Sequence, residues 1–125
     1  MDIRELLGVF LAGALGTLTR AGALEAAETL TNGSLLANFS ANTIGAFGLG
    51  FVLAHGMLPF PAWIRTSVTV GFFGSYTTFS AIALLSVSQP LSTGIPFLFL
   101  NLFFGVLAIV MGRSVAQLVS KENKK

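Results

Sequence analysis

The sequence predicts an all-α membrane protein of four spanning helices, the third of them broken at mid-membrane. Three observations carry this expectation. Of the 125 residues, 54% are hydrophobic and only 10% charged, with a mean hydropathy of +0.82. Soluble domains carry about 25% charged residues. The length holds four spans of about 20 residues and little else. Finally, Gly71-Phe72-Phe73-Gly74-Ser75-Tyr76-Thr77-Thr78-Phe79-Ser80 lies inside the third apolar stretch. Glycine costs about 1 kcal/mol relative to alanine in a helix interior, and β-branched residues such as Thr77 and Thr78 lose χ1 freedom there. A break at membrane depth frees backbone carbonyls, which are tolerated only when buried in protein, facing water or holding an ion. The stretch therefore reads as a broken helix built around an ion. The alternative is a continuous helix whose glycines allow close packing against a neighbour.

The composition also excludes several classes. The chain has no cysteine, so it has no disulfide framework and no thiolate metal site. An isoelectric point of about 9.5 does not point to nucleic acid. The basic residues are few and flank apolar runs, so they act as topology signals. A protomer this small hardly encloses a polar pathway, and an oligomer is expected.

The whole chain, 1–125, reads as one four-helix transmembrane domain with spans at about 5–28, 34–58, 62–87 and 94–119. Arg4 before the first run and Ala21-Gly22-Ala23 after it resemble a signal peptide. Acidic Asp2 and Glu5, and the three later spans, argue against that reading. Gly8, Gly13 and Gly16 give the first span a small-residue surface for close helix contact. Arg20 either snorkels to the headgroups or lines an aqueous vestibule that attracts anions.

Asn32-Gly33 signals the turn into the second span. That span carries Asn38 and Asn42 at i and i+4, which places both amides on one helical face. They serve either as interhelical hydrogen bonds or as pore-lining donors. His55 ends the span at the interface. Met57-Leu58-Pro59-Phe60-Pro61 makes a tight connection to the third span. Ser88 to Thr93, with Pro90, forms the next loop, and the fourth span starts near Ile95. It is rich in phenylalanine and has Asn101 as its main polar group.

Four spans place both termini and the second loop on one side. That side carries Arg4, Arg65, Arg113, Lys121, Lys124 and Lys125, against Arg20 alone on the other. A bias of six to one predicts cytoplasmic termini in the cell membrane.

Three segments in order give the chain a family resemblance. They are Gly13-Ala14-Leu15-Gly16-Thr17-Leu18-Thr19-Arg20, Asn42-Thr43-Ile44-Gly45-Ala46-Phe47-Gly48-Leu49-Gly50 and the stretch from Gly71 to Ser80. They are similar to the GxxGxxxR, NxxGxFxxG and GFxGxxTTFS motifs of the small bacterial fluoride channels (Fluc, also called CrcB). The resemblance covers nearly the whole chain. It implies an antiparallel, dual-topology dimer, a homodimer or a heterodimer with a family paralogue, in which the third helices cross at the centre. A structural Na⁺ would sit there on main-chain oxygens of Gly74 and Thr77. The fluoride pathway would be lined by Asn42, Phe79, Ser80 and Thr78, with Arg20 in the vestibule and Asn38, Asn101 and Ile82 as weaker candidates.

The physics of fluoride supports such a lining independently. A small, strongly hydrated anion needs compact donors in place of water, which an Asn amide and Ser or Thr hydroxyls provide. Phenyl edges, the positive part of the ring quadrupole, add to them.

The chain departs from the family pattern at three places, among them the absence of the acidic residue usual shortly after position 82. Ile82 stands where a second pore phenylalanine belongs, and Ala81 replaces a threonine. Between Phe97 and Gly112 the Ser/Thr track of the fourth helix is reduced to Asn101. Asn38 also offers a rival register for the second motif, since Gly33-Ser34-Leu35-Leu36-Ala37-Asn38 matches its lead-in.

The function implied is passive fluoride efflux, giving fluoride resistance with no enzymatic chemistry. A small proton-coupled drug exporter is the first alternative, but it needs a carboxylate within the membrane. Asp2, Glu5, Glu25, Glu28 and Glu122 all lie at or beyond span ends. The second alternative is a non-conducting structural subunit that packs through its glycines.

Overall fold

A computed structural model describes residues 2–55 and 60–122. The described residues are helical, with short connections and no strand. Helix α1 runs Ile3–Ala26 and α2 runs Gly33–His55. The turn between them holds Asn32 at φ 57°, the left-handed region that asparagine tolerates better than most residues. The third span, Ala62–Ser88, is assembled from pieces. Helix α3 (Ala62–Thr66) widens into a π-helical segment, Ser67–Phe73, and closes with one turn, α4 (Gly74–Tyr76). Two extended residues follow, and the chain resumes as α5 (Phe79–Ser88) and then α6 (Leu91–Glu122). The four apolar helical stretches are each long enough to cross a membrane, and the protein is a multi-pass membrane protein.

The observed helix ends differ modestly from the expected ones. Helix α6 begins at Leu91 instead of near Ile95, because the Pro90 carbonyl accepts from the amides of Thr93 (2.8 Å) and Gly94 (2.8 Å) and starts the helix earlier. Pro96 is carried inside its early turns. At 32 residues, α6 is about 48 Å long against a hydrocarbon core of about 30 Å. Most of the connection expected at Met57 to Pro61, and the lysines Lys124 and Lys125, lie outside the described residues.

Two pairings organise the bundle. Along α2 and α6, Phe39 meets Phe104, Gly112 meets Phe47, and His55 bonds Ser120 at 3.0 Å. The partners advance together, so these helices run parallel. A Cβ on Gly112 would stand 3.0 Å from the Phe51 amide nitrogen, which is why the backbones come so close. Helix α1 pairs in the same parallel sense with the third span, Gly8 facing Ser67 and Gly13 facing Ser75. Parallel first and third spans, and parallel second and fourth, are what an up-down-up-down chain produces.

The buried core is small and made largely of alanines, with Ile82 and Phe97 its larger members. Phe10, Val87 and Phe99 are exposed, each by 66% or more. Such faces suit lipid or a second protein better than water.

Candidate functional site

The interruption of the third span is where the chain's polar groups meet. Its upstream side is prepared by hydroxyls. Thr66, Ser67, Thr69 and Thr77 each bond back to the carbonyl four residues earlier, at 2.7–3.1 Å. Such bonds compete with the α-helical ladder, and they flank and enter the segment that widens to π geometry. Thr77 is then extended (φ −89°, ψ 146°), as is Thr78 (φ −150°, ψ 129°). The continuous-helix alternative for this stretch is therefore not what the chain adopts.

Asparagine 42 explains how the extended pair is held. Its Oδ1 accepts from the Thr78 amide at 2.9 Å, and its Nδ2 donates to the Thr78 carbonyl at 3.3 Å. One side-chain amide thus serves both backbone groups of a residue that has left the helix. In a continuous helix the Thr78 N–H would bond the Gly74 carbonyl. Diverted to Asn42, it leaves that carbonyl without its ladder partner.

One turn earlier on α2, Asn38 acts through Arg20. The Arg20 guanidinium donates through Nη1 to the Tyr76 carbonyl at 3.0 Å and through Nη2 to Asn38 Oδ1. Asn38 Nδ2 in turn donates to the Ser34 carbonyl at 2.7 Å. Arg20 is 9% exposed, so its head neither snorkels to the surface nor stands free in a vestibule. Thr77 lies between two clamps, Arg20 on Tyr76 and Asn42 on Thr78. The i, i+4 spacing of Asn38 and Asn42 is what lets α2 serve both.

The opposite face of the interruption is open. Gly74 is exposed, and nothing lies within 4 Å of the position a Cβ would take. Phe79 is 63% exposed and Ser80 is exposed. Thr78 Oγ1 and Ser80 Oγ share a hydrogen bond of 2.8 Å. A groove of about 370 Å³ runs beside them, with Asn42, Thr78, Phe79, Ile82 and Asn101 among its walls. Ile82 is 7% exposed and packs into the core beneath the groove. Asn101, 4% exposed, donates through Nδ2 to the Phe97 carbonyl at 2.8 Å, while its Oδ1 has no partner among the described residues. An unsatisfied buried acceptor costs about 1–3 kcal/mol. No group of three or more His, Cys, Asp or Glu able to hold a metal occurs among the described residues.

Comparison with known proteins gives the chain its family. A family model described as CrcB-like protein, Camphor Resistance (CrcB), matches residues 7–113, a range that includes both clamps, the break and the groove. The chain belongs to the CrcB family.

Its similarity to individual CrcB-family relatives runs nearly end to end. Fluoride-specific ion channel FluC 2 of Geobacillus kaustophilus is 34% identical over 123 residues, covering 93% of this chain and 95% of that protein. Fluoride-specific ion channel FluC of Methanopyrus kandleri is 34% identical over 126 residues, covering 93% and 92%. Fluoride-specific ion channel FluC 2 of Symbiobacterium thermophilum is 36% identical over 122 residues, covering 89% and 96%. Within this CrcB chain, sequence reasoning picked out Arg20, Asn38, Asn42 and the break separately. It missed that they form one hydrogen-bonded unit through the carbonyls of Tyr76 and Thr78. Backbone acceptors carry no residue signature. The available signal was two amides one turn apart in a chain that also has a helix break to satisfy.

Proposed function

We propose that this chain is one protomer of a fluoride-selective channel through which fluoride leaves the cell down its gradient. The observation that carries this reading is its similarity, over nearly the full length, to relatives named fluoride-specific ion channels. The geometry of the break suggests how such a chain works. A fluoride ion gives up water only where donors replace it. Asn42 Nδ2 has a second hydrogen beyond the one given to Thr78. The Thr78–Ser80 hydroxyl pair has two hydrogens and uses one in its shared bond. The exposed Phe79 ring offers its edge beside them. Arg20 holds the break in shape from behind. Conduction makes and breaks no covalent bond, so no enzymatic role is assigned.

The dimer, the mid-membrane position of the break and the sodium ion belong to the same proposal. The donor set at the break suits sodium, since a hard cation prefers oxygen ligands. The Gly74 carbonyl has lost its ladder partner, and extended Thr77 turns its own carbonyl out of the helix. Two carbonyls are too few for a cation, and the exposed face at Gly74 supports a second protomer supplying the rest. When bound, sodium supplies a fixed positive charge in a region without carboxylates.

Lys/Arg bias of six to one supports cytoplasmic termini for this chain. It also favours a paralogue of opposite bias as the inverted half, and several relatives carry the numbers 1 or 2 in their names. Efflux from liposomes tests the function. Fluoride release far above chloride release is expected, and equal or absent release would refute it. Single cysteines at Ser92 and Lys124, labelled from outside intact cells, test the pairing. Labelling at Ser92 alone supports a partner of opposite orientation, and comparable labelling at both sites supports a homodimer.

A further inference from the structure

The groove beside the break has one polar wall whose acceptor has no partner among the described residues. Asn101 of α6 is buried, and its Nδ2–H is committed to the Phe97 carbonyl at 2.8 Å. That bond fixes the amide's orientation, because a flipped amide would set Oδ1 against a carbonyl oxygen. Oδ1 is therefore the free end. No described group donates to it. Bare, it repels an anion.

We infer that Asn101 Oδ1 is a water site and that the bound water turns this bare acceptor into a further donor, beside the amide's second Nδ2–H. A water has two hydrogens. One goes to Oδ1, and the other points into the groove, where the proposed fluoride path runs. Three observations support the assignment. Oδ1 is a buried acceptor without a partner, which native proteins seldom leave unless water or an ion completes it. No cationic residue is among the groove's lining and no described side chain reaches Oδ1, so a water is the mobile donor that can complete it. The groove of about 370 Å³ runs along Asn101, large against a water's share of liquid volume of about 30 Å³, and a small displacement of the walls opens the buried Oδ1 to it. Further polar partners for such a water lie along the same groove. Asn42 and Thr78 line it, and the first turn of α5 starts there with no side-chain cap on its amides. The fourth span has no Ser or Thr from Phe97 to Gly112. A held water thus adds a donor at this level to the second Nδ2–H of Asn101. The inference rests on the fluoride-channel reading for its functional half and on the unpartnered oxygen for its structural half.

The two halves are tested separately. An experimental structure of the wild-type protein, at a resolution that shows ordered water, should place one within hydrogen-bond distance of Asn101 Oδ1. A protein donor there, from this chain or a second copy, would overturn the site. Functionally, Asn101→Leu should slow fluoride efflux from liposomes about tenfold, the worth of one hydrogen bond of about 1.4 kcal/mol. Asn101→Thr should recover most of the loss. Its hydroxyl can bond back to the Phe97 carbonyl as Thr66 does to Ala62 (3.1 Å), leaving lone pairs free for the water. A merely structural role predicts no such rescue. Wild-type efflux in Asn101→Leu would overturn the functional half. If Asn101→Leu does not assemble, Asn101→Ala replaces it, read by the same assay and against the same threonine rescue. If the wild-type protein releases no fluoride, the channel reading fails, while the wild-type water density still decides the site.

Discussion

Replacing Asn42 by leucine tests the central clamp most directly. Leucine is close to asparagine in size and offers no hydrogen bond. The substitution leaves the Thr78 N–H without its 2.9 Å acceptor and the Thr78 carbonyl without its 3.3 Å donor. The first is a good bond and the second a long one. An unmade bond at a buried group costs about 1–3 kcal/mol, so the broken geometry loses about 2–4 kcal/mol. A continuous helix loses nothing by the change, because there the Thr78 N–H returns to the Gly74 carbonyl. The ratio of broken to unbroken forms should therefore fall roughly 30- to 700-fold. Spin labels on cysteines at Val70 and Leu84, exposed by 61% and 67%, flank the break and read this as a second distance population. Fluoride efflux should fall alongside. Asn42→Asp is the informative control. Its carboxylate keeps the acceptor for Thr78 N–H but loses the donor, and protonation restores an O–H donor. Its efflux relative to wild type should rise as pH falls. A single unchanged distance distribution with normal efflux in Asn42→Leu would refute the clamp.

Two further outcomes follow from the geometry. Arg20→Lys should lower thermal stability by about 1–3 kcal/mol, because one ammonium does not reproduce the fork that spans Tyr76 and Asn38. With Arg20 only 9% exposed, the loss should persist at high ionic strength, and a loss that salt abolishes would indicate a surface charge instead. Gly112→Ala should drive α6 off α2, since its Cβ meets the Phe47 carbonyl. Gly22→Ala, with nothing within 4 Å, should be silent. Melting temperatures and monodispersity in detergent compare the two, and equal behaviour would refute the close α2–α6 contact.

How much of this was legible in the sequence depends on which physical signal each feature leaves. The spans were legible because a bilayer demands long apolar runs, and the break because glycines and paired threonines are out of place in one. The Asn32-Gly33 turn was legible because few residues tolerate a positive φ. The π-helical stretch was not, since the hydroxyl back-bonds that accompany it at 66, 67 and 69 also occur in the regular helices, as at Thr17 and Thr19. Arg20 was read through its charge alone, as a surface or vestibule residue. Its true surroundings depend on Tyr76, 56 residues away. No periodicity reports a contact at that separation. Asn101 stood out as the one polar group in an apolar span, but which end of its amide was free required the rotamer.

The break is asymmetric, and that asymmetry connects its architecture to transport. Behind it, Arg20 and Asn42 hold the carbonyls of Tyr76 and Thr78 with directed donors, and Asn38 accepts from Arg20 and steadies it. In front, Gly74, Phe79 and Ser80 are exposed and unclamped. Were every polar group of the break bonded within the protomer, the interruption would be inert and a plain helix would serve better. Because only the rear is satisfied, extended backbone is stabilised without using up the groups on the other face. Those groups, a glycine carbonyl, a ring edge and a hydroxyl pair with one hydrogen to spare, remain available to ions or to a second protomer. The rear clamp supplies the stability, and the proposed channel reading assigns the ion chemistry to the open face.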